Sequence, residues 1–196
     1  MRYIADTVDF ELKEPTVVTL GKFDGRHRGH QKLLRTMEEV KESLGYATAI
    51  FTFSTAPLTL VTGETATVIT TSEERRHNME KMGIDYLVEY PFTDDVRKMD
   101  PAVFVKDILV KRMKAKAVVV GPDCSFGYKG AGNVGLLRTL SRELDFRLYV
   151  IEKEKDHRRD ISSTYIREEL SRGNVAKANE LLGEPYAIHG IVVHGN

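Results

Sequence analysis

Apolar runs typical of β-strands alternate along this chain with stretches of helical periodicity. The strand-like runs are Val17–Leu20, Ala47–Phe53, Tyr86–Tyr90, Ala117–Val120 and Phe146–Ile151. The helical stretches are His30–Leu44, 71 to about 82, Pro101–Met113, Val134–Leu144, Thr164–Ser171 and Val175–Leu182. Repeated βα units predict an α/β fold built on a Rossmann-like, doubly wound parallel sheet. Ligands of such sheets bind beyond the carboxyl ends of the strands, so the loops that leave these ends are the first candidates for a site.

Residues with special backbone roles mark several helix boundaries. Thr71 and Glu74 have the spacing of a capping box, which predicts a helix start. Gly83 is expected to end that helix, and Gly45 to end the helix that begins near His30. Pro101 suits the first turn of a helix.

The pattern changes after Gly183. Residues 186–196 alternate between apolar and other side chains, which predicts a β-strand. A lone strand is not stable, so it either joins an existing sheet or begins a second domain. We expect one domain over residues 1–184 and the start of a second over residues 185–196.

The segment from Leu20 to His30 carries the strongest chemical signal. It reads LGKFDGRHRGH and joins a predicted strand to a predicted helix. A glycine-rich turn at a helix N-terminus presents backbone N–H groups and the positive end of the helix dipole, which favours phosphate. His27 and His30 lie three residues apart, so they project from one side of the first turn. Gly29 between them lets a ligand approach the backbone.

A second cluster, Ile161 to Arg167, reads ISSTYIR at another predicted helix start. One hydroxyl would suffice for an N-cap. Three hydroxyls, on Ser162, Ser163 and Thr164, favour a second phosphate site instead. Arg167 either adds a charge-assisted bond to phosphate or pairs with Glu168 or a neighbouring carboxylate.

Two further loops are open to two interpretations each. In the loop after Val120, Asp123 and Phe126 either contact a planar ligand or serve as a turn residue and a core residue. The loop that follows Phe53 and contains Pro57 either forms the wall of a pocket for an aromatic ligand or simply ends a strand.

Composition and charge narrow the classes of function. The 196 residues include 29 basic and 29 acidic side chains, so the net charge is zero, which argues against broad binding to nucleic acid or membranes. No apolar run is long enough to span a bilayer, and the N-terminus lacks the apolar stretch of a signal peptide. Cys124 is the only cysteine, so an intrachain disulfide is excluded. We expect a cytoplasmic protein with small-molecule partners.

Together these segments resemble the FMN adenylyltransferase (FAD synthetase) module of prokaryotic bifunctional riboflavin kinase/FAD synthetases. The matching segments are GKFDGRHRGHQ, the FTF…P loop, VVVGPDCSFG, ISSTYIREEL and the final LLGEPYAIHGIVVHG. The resemblance implies a nucleotidylyltransferase fold of the HxGH type. It also implies that FMN attacks the α-phosphorus of ATP, with Mg²⁺, to give FAD and pyrophosphate.

The resemblance assigns roles residue by residue. The catalytic residues would be His27 and His30. ATP would contact Gly21, Lys22, Phe23, Asp24, Gly29, Ser162, Ser163, Thr164 and Arg167. FMN would contact Phe53, Pro57, Asp123 and Phe126. No protein ligand for the metal is assigned, and residues 185–196 would begin a riboflavin kinase-like β-barrel.

Several positions depart from the family pattern. Lys22 replaces a usual Asn, the loop after Phe53 reads STAP in place of DPHP, Cys124 replaces Phe, and Asn133 replaces Asp. These changes concern flavin binding more than ATP binding.

The Pro-Thr-Ala-Asn signature of the kinase domain is absent, so riboflavin phosphorylation is not expected. The alternatives are a nucleotidylyltransferase with another phosphorylated acceptor, or a flavin- or nucleotide-binding paralogue without turnover.

Overall fold

A computed structural model describes residues 1–54, 67–188 and 190. The strands are β1 (Arg2–Ala5), β2 (Thr16–Leu20), β3 (Ala47–Phe53), β4 (Tyr86–Tyr90), β5 (Ala115–Val120), β6 (Arg147–Val150), β7 (Lys155–Asp156) and β8 (Arg159–Asp160). The helices are α1 (Arg28–Leu44), α2 (Ser72–Lys81), α3 (Asp94–Arg97), α4 (Pro101–Val103), α5 (Val134–Glu143), α6 (Ser163–Ser171) and α7 (Val175–Leu182). A π-helix (Phe104–Arg112) continues directly from α4, and a short 3₁₀-helix spans Tyr128–Gly130.

Six parallel strands form the central sheet, in the order β1-β4-β3-β2-β5-β6. From β2 the chain proceeds outward through β3 to β4, and it then returns to place β5 on the other side of β2. The order therefore reverses between β2 and β5. In open α/β sheets, ligands bind at this reversal, beyond the carboxyl ends of the strands.

Helices cover both faces of the sheet because successive residues of a strand point to opposite faces. On one face, Val17, Ile50 and Val119 pack with residues of α1 and α2. On the other, Val18 and Phe51 pack with residues of the π-helix and of α5. The strands are apolar on both faces for this reason.

A third, smaller core joins the C-terminal helices to the main body. Ile166 of α6 and Leu181 of α7 pack with Ile161 and with Ile69, which precedes α2. The antiparallel pair β7–β8 lies just before α6. This core fixes the start of α6 relative to the loop that joins β2 to α1.

The predicted doubly wound parallel sheet is confirmed, and most predicted elements lie within two residues of the observed ones. The capping box between Thr71 and Glu74 is present, with reciprocal hydrogen bonds of 3.2 and 2.8 Å. The predicted helix from Pro101 begins where expected, but most of it is π-helical.

Two features differ from the expectations. β1 and the β7–β8 hairpin were not predicted, because runs of two to four residues give too little periodicity to recognise. The predicted C-terminal strand is wrong for residues 186–188 and 190, which have no regular secondary structure, while residues 189 and 191–196 lie outside the described residues.

Among the described residues, no helix is both long and apolar enough to span a membrane.

Candidate active site

The loop between β2 and α1 holds a strained backbone at the reversal of strand order. Phe23 is buried and has a φ of 50°, a left-handed conformation that is rare for a bulky side chain. Gly25 has a φ of 68°, and a Cβ there would lie 2.8 Å from Ile69. Such strain persists only where the surroundings fix the backbone, and it is concentrated at functional sites.

Many hydrogen bonds fix this loop. The amide of Gly21 donates to the carbonyl of Phe51 at 3.1 Å. The amide of Gly25 donates to the Thr70 hydroxyl at 3.1 Å. The Gly25 carbonyl accepts from Nδ1 of His30 at 2.8 Å. The side chain of Lys22, in the same loop, is exposed to solvent.

The two predicted catalytic histidines stack on each other at the start of α1. Their ring centroids are 3.6 Å apart with an angle of 20° between the planes, and the Phe23 ring lies 4.8 Å from His30. His27 is the N-cap of α1. A Cβ on Gly29 would lie 3.2 Å from the His27 ring, so glycine lets the ring pack against the backbone here.

Hydrogen bonding gives the two rings different tautomers. Nδ1 of His27 accepts from the amide of His30 at 3.3 Å, so the neutral His27 ring carries its proton on Nε2. A carbonyl can only accept, so Nδ1 of His30 carries the proton in its bond to Gly25. His27 therefore offers a donor at Nε2, whereas neutral His30 offers an acceptor there.

Both rings are neutral at physiological pH in the free protein. Burial, followed by the proximity of His30, lowers the pKa of His27 to about 3. Burial lowers the pKa of His30 to about 4, although the Gly25 carbonyl and the Asp24 carboxylate oppose this. Stacked at 3.6 Å, the two rings disfavour a doubly charged state because like charges repel.

The N-terminus of α6 forms the second half of the site. Ser162 caps the helix, with its hydroxyl oxygen accepting from the amide of Tyr165 at 3.2 Å. The Ser163 hydroxyl donates to the Asp24 carbonyl at 2.6 Å. Thr164 is exposed, and its hydroxyl accepts from Arg167 at 3.4 Å. The first-turn amides of such a helix have no intrahelical acceptor and can bind an anion.

Asp24 connects the two halves. One carboxylate oxygen accepts from the amides of Ile69 and Thr70 at 2.7 and 3.1 Å. The other accepts from Arg167 at 2.6 Å. This carboxylate, which is 13% exposed, thus links the loop that leads into α1 with the segment before α2 and with α6.

The residues predicted to contact FMN occupy different surroundings. Asp123 is exposed and pairs with Lys153 at 2.9 Å, and Lys153 also pairs with Asp160 at 3.1 Å. Phe126 is buried against Phe104, with centroids 5.6 Å apart. Of the two alternatives left open for Phe126, its burial favours the core residue.

Phe53 and Pro57 belong to the remaining predicted flavin loop. The Phe53 ring packs between Phe51 and Phe92, with centroid distances of 5.3 and 4.8 Å, and is partly buried. Pro57 lies outside the described residues.

The structure thus brings the glycine loop, the histidines and the hydroxyl cluster together, and it places Phe126 in the main core. Arg167 pairs with a carboxylate, which was one of its predicted alternatives, and the partner is Asp24.

The sequence analysis did not identify the hydrogen-bond donors and acceptors that Ile69, Thr70 and Gln31 provide to the site. Gln31 donates to the carbonyls of Arg26 and Leu182 at 2.9 and 2.8 Å, and no local signal identifies the contact with Leu182, which lies 151 residues away in sequence.

The described residues contain no group of three or more His, Cys, Asp or Glu side chains that could hold a metal ion. Asp24, the acidic side chain at the centre of the site, already uses both oxygens in protein contacts.

Comparisons with known proteins show which family the chain resembles over most of its length. The sequence profile described as "FAD synthetase" matches residues 9–165. The chain is 33% identical over 190 residues to the bifunctional riboflavin kinase/FMN adenylyltransferase of Bacillus subtilis, covering 95% of this chain and 59% of that protein. It is 32% identical over 187 residues to the protein of the same name from Buchnera aphidicola, covering 95% of this chain and 60% of the relative.

Among solved structures, one described as a macrolide-efflux protein from Streptococcus pneumoniae superposes with a TM-score of 0.83 at 28% identity, covering 100% of this chain and 64% of that one. The chain spans about 60% of the length of the two sequence relatives. With the profile matching most of the chain, this protein belongs to the FAD synthetase family.

Proposed function

We propose that this chain is an FMN adenylyltransferase, which transfers AMP from ATP to FMN and releases pyrophosphate. The observation that carries the proposal is the contact of the start of α6 with Asp24, in the loop that leads into α1, beside the reversal of strand order. Two adjacent anion sites suit a polyphosphate better than a single phosphate. The relatives named FMN adenylyltransferases supply the acceptor.

In the proposed reaction, an oxygen of the FMN phosphate attacks the α-phosphorus of ATP. The new P–O bond forms as the bond to the pyrophosphate oxygen breaks, and no covalent intermediate with the protein is involved. Such a transfer depends on positioning and on stabilising the developing charge. His27 donates from Nε2 to phosphate oxygen, next to the free amides at the start of α1.

We assign the α-phosphate to the loop containing Gly21, Lys22 and Phe23 and to α1 near Gly29. The β- and γ-phosphates are assigned to the start of α6. Ser162 caps through its oxygen, which leaves its hydroxyl proton free to donate to phosphate. Ser163, Thr164 and Arg167 are engaged with Asp24 or with each other, so they orient that turn in the free protein.

Flavin binding is assigned to Phe53, Pro57, Asp123 and Phe126. For Asp123, contact with FMN requires that the carboxylate share or release Lys153. For Phe126, the burial against Phe104 supports a role beneath a flavin site rather than an open ring face.

Mg²⁺ enters this proposal as part of the substrate MgATP, where it neutralises phosphate charge. The ion commonly keeps waters and binds through substrate phosphates. We further propose a cytoplasmic reaction, a catalytic domain over residues 1–184, and a kinase-like segment that begins at 185.

A single assay tests the proposed function. Purified protein is incubated with FMN, ATP and Mg²⁺, and FAD and pyrophosphate are quantified together, with riboflavin in place of FMN as the control acceptor. We expect equal amounts of the two products from FMN and none from riboflavin, which lacks the attacking phosphate. A folded protein that binds ATP but makes no FAD would contradict the proposal.

A further inference from the structure

A buried ion pair lies next to the phosphate loop, outside the residues assigned above. Arg75, in the first turns of α2, donates to Glu89 of β4 at 2.7 Å. The two side chains are only 13% and 5% exposed. Glu89 stands in register with Thr52 of β3, towards the carboxyl ends of the strands.

The two terminal nitrogens of Arg75 donate hydrogen bonds to two different parts of the fold. Nη2 contacts the Glu89 carboxylate, while Nη1 donates to the backbone carbonyl of Lys22 at 3.3 Å. Lys22 directly precedes Phe23, the residue with the strained φ of 50°. A guanidinium can bridge two acceptors in this way because its donors form a rigid planar fork.

Tyr3 of β1 holds the other side of Glu89. Its hydroxyl donates to the second carboxylate oxygen at 2.7 Å and accepts from Arg76 at 2.9 Å. Burial and the Glu89 carboxylate raise the pKa of the Tyr3 phenol, so it remains a donor. Glu89 is thus oriented from both sides and presents one oxygen to Arg75.

A buried charge pair is a poor source of stability, since an apolar pair of similar volume commonly does as well or better. A role in orientation explains the pair more fully. Three further carbonyls of the loop, at Asp24, Gly25 and Arg26, are bound by the side chains of Ser163, His30 and Gln31. Arg75 provides the corresponding contact for Lys22.

We propose that Arg75 and Glu89 are a positioning pair for adenylyl transfer. They fix the Lys22 carbonyl, and thereby the strained Phe23 backbone that precedes the two histidines. This inference rests on the proposed function, because its readout is FAD formation.

The test compares Arg75→Met with the double variant Arg75→Met/Glu89→Met. The single variant leaves the buried Glu89 carboxylate without its cationic partner, so it should lower both the melting temperature and kcat. The double variant replaces the pair by apolar side chains, so its melting temperature should recover while kcat stays low. We expect kcat to fall at least about tenfold in both, since small misplacements of catalytic groups can cost up to about 10²-fold.

The variant Arg75→Lys tests whether the positive charge of Arg75 is sufficient or whether its two simultaneous contacts, with Glu89 and the Lys22 carbonyl, are required. A lysine retains the charge but lacks the fork, so it should keep the melting temperature better than kcat. Arg112→Gln is the matched control, because it removes an ion pair with Asp9 (3.2 Å) at the opposite, amino end of the strands. Its kcat should equal that of the wild type.

The outcomes distinguish the two hypotheses. Absence of FAD from the wild-type protein would overturn the proposed function. FAD from the wild type together with unchanged kcat in Arg75→Met, or recovery of kcat along with the melting temperature in the double variant, would overturn the positioning role alone. All kinetics are measured at a temperature at which circular dichroism shows every variant folded.

Discussion

The Asp24 carboxylate accepts a hydrogen bond from Arg167 at 2.6 Å, across a sequence separation of 143 residues. The contact places the start of α6 against the loop that leads into α1. A carboxylate beside two anion sites would repel a triphosphate, but the Arg167 charge offsets it. The pair therefore serves both the geometry and the electrostatics of the site.

Removing Arg167 should harm ATP binding more than removing the whole pair. In Arg167→Ala, Asp24 is left partly buried and uncompensated. We expect the KM for ATP to rise by at least about tenfold, because unit charges a few ångströms apart near a protein surface repel by on the order of one or more kcal/mol. In Arg167→Ala/Asp24→Asn the repulsion is gone, so the KM should recover partly. Additive losses in a double-mutant cycle would show that the two residues act independently.

Replacing either histidine by alanine should reduce turnover by about 10²-fold or more, which is the usual cost of losing one donor to a transition state. FMN affinity should change little, because neither ring is assigned to the flavin. Steady-state kinetics and FMN titration measure the two effects separately. His77→Ala, on the exposed surface of α2, is the matched control and should retain wild-type turnover. Turnover that survives both substitutions would refute the assigned role.

Stability should fall as the pH drops below about 6.5, where the histidines of an unfolded chain begin to bind protons. The folded protein keeps His27 and His30 neutral until about pH 3 and 4. The unfolded state therefore binds more protons in this interval, so lower pH favours unfolding. We expect the melting temperature to fall between pH 7 and pH 5, and to fall less in His27→Gln/His30→Gln. An identical fall in the wild type and the double variant would contradict the assigned pKa shifts.

ATP binding should be accompanied by proton uptake. Nδ1 of His30 donates to the Gly25 carbonyl, so Nε2 can donate to phosphate only when the ring gains a second proton. The negative triphosphate raises the pKa of that ring from about 4. Calorimetric titration near pH 6 in two buffers of different ionisation enthalpy should reveal uptake of up to one proton. The uptake should disappear in His30→Gln, and heats that do not depend on the buffer would argue against this protonation.

The elements that sequence patterns predicted correctly are those whose signals are local. Periodicity located β3 and α7 to the residue, and the capping box at Thr71 marked the start of α2. The glycine loop and the hydroxyl cluster were recognised for the same reason, because a strand end, a turn and a helix start follow one another within a few residues. The FAD synthetase family itself was recognisable from these segments.

The tertiary structure alone decided how these segments act on one another. The pairing of Arg167 with Asp24 rather than a nearby glutamate depends on where α6 packs, and that packing is set by the core around Ile166. The bridge from Glu89 through Arg75 to Lys22 joins β4, α2 and the loop after β2, which no local pattern connects. Short-range patterns specify which backbone conformation each segment adopts. Partners separated by tens of residues are specified only when the topology brings their side chains within hydrogen-bonding distance.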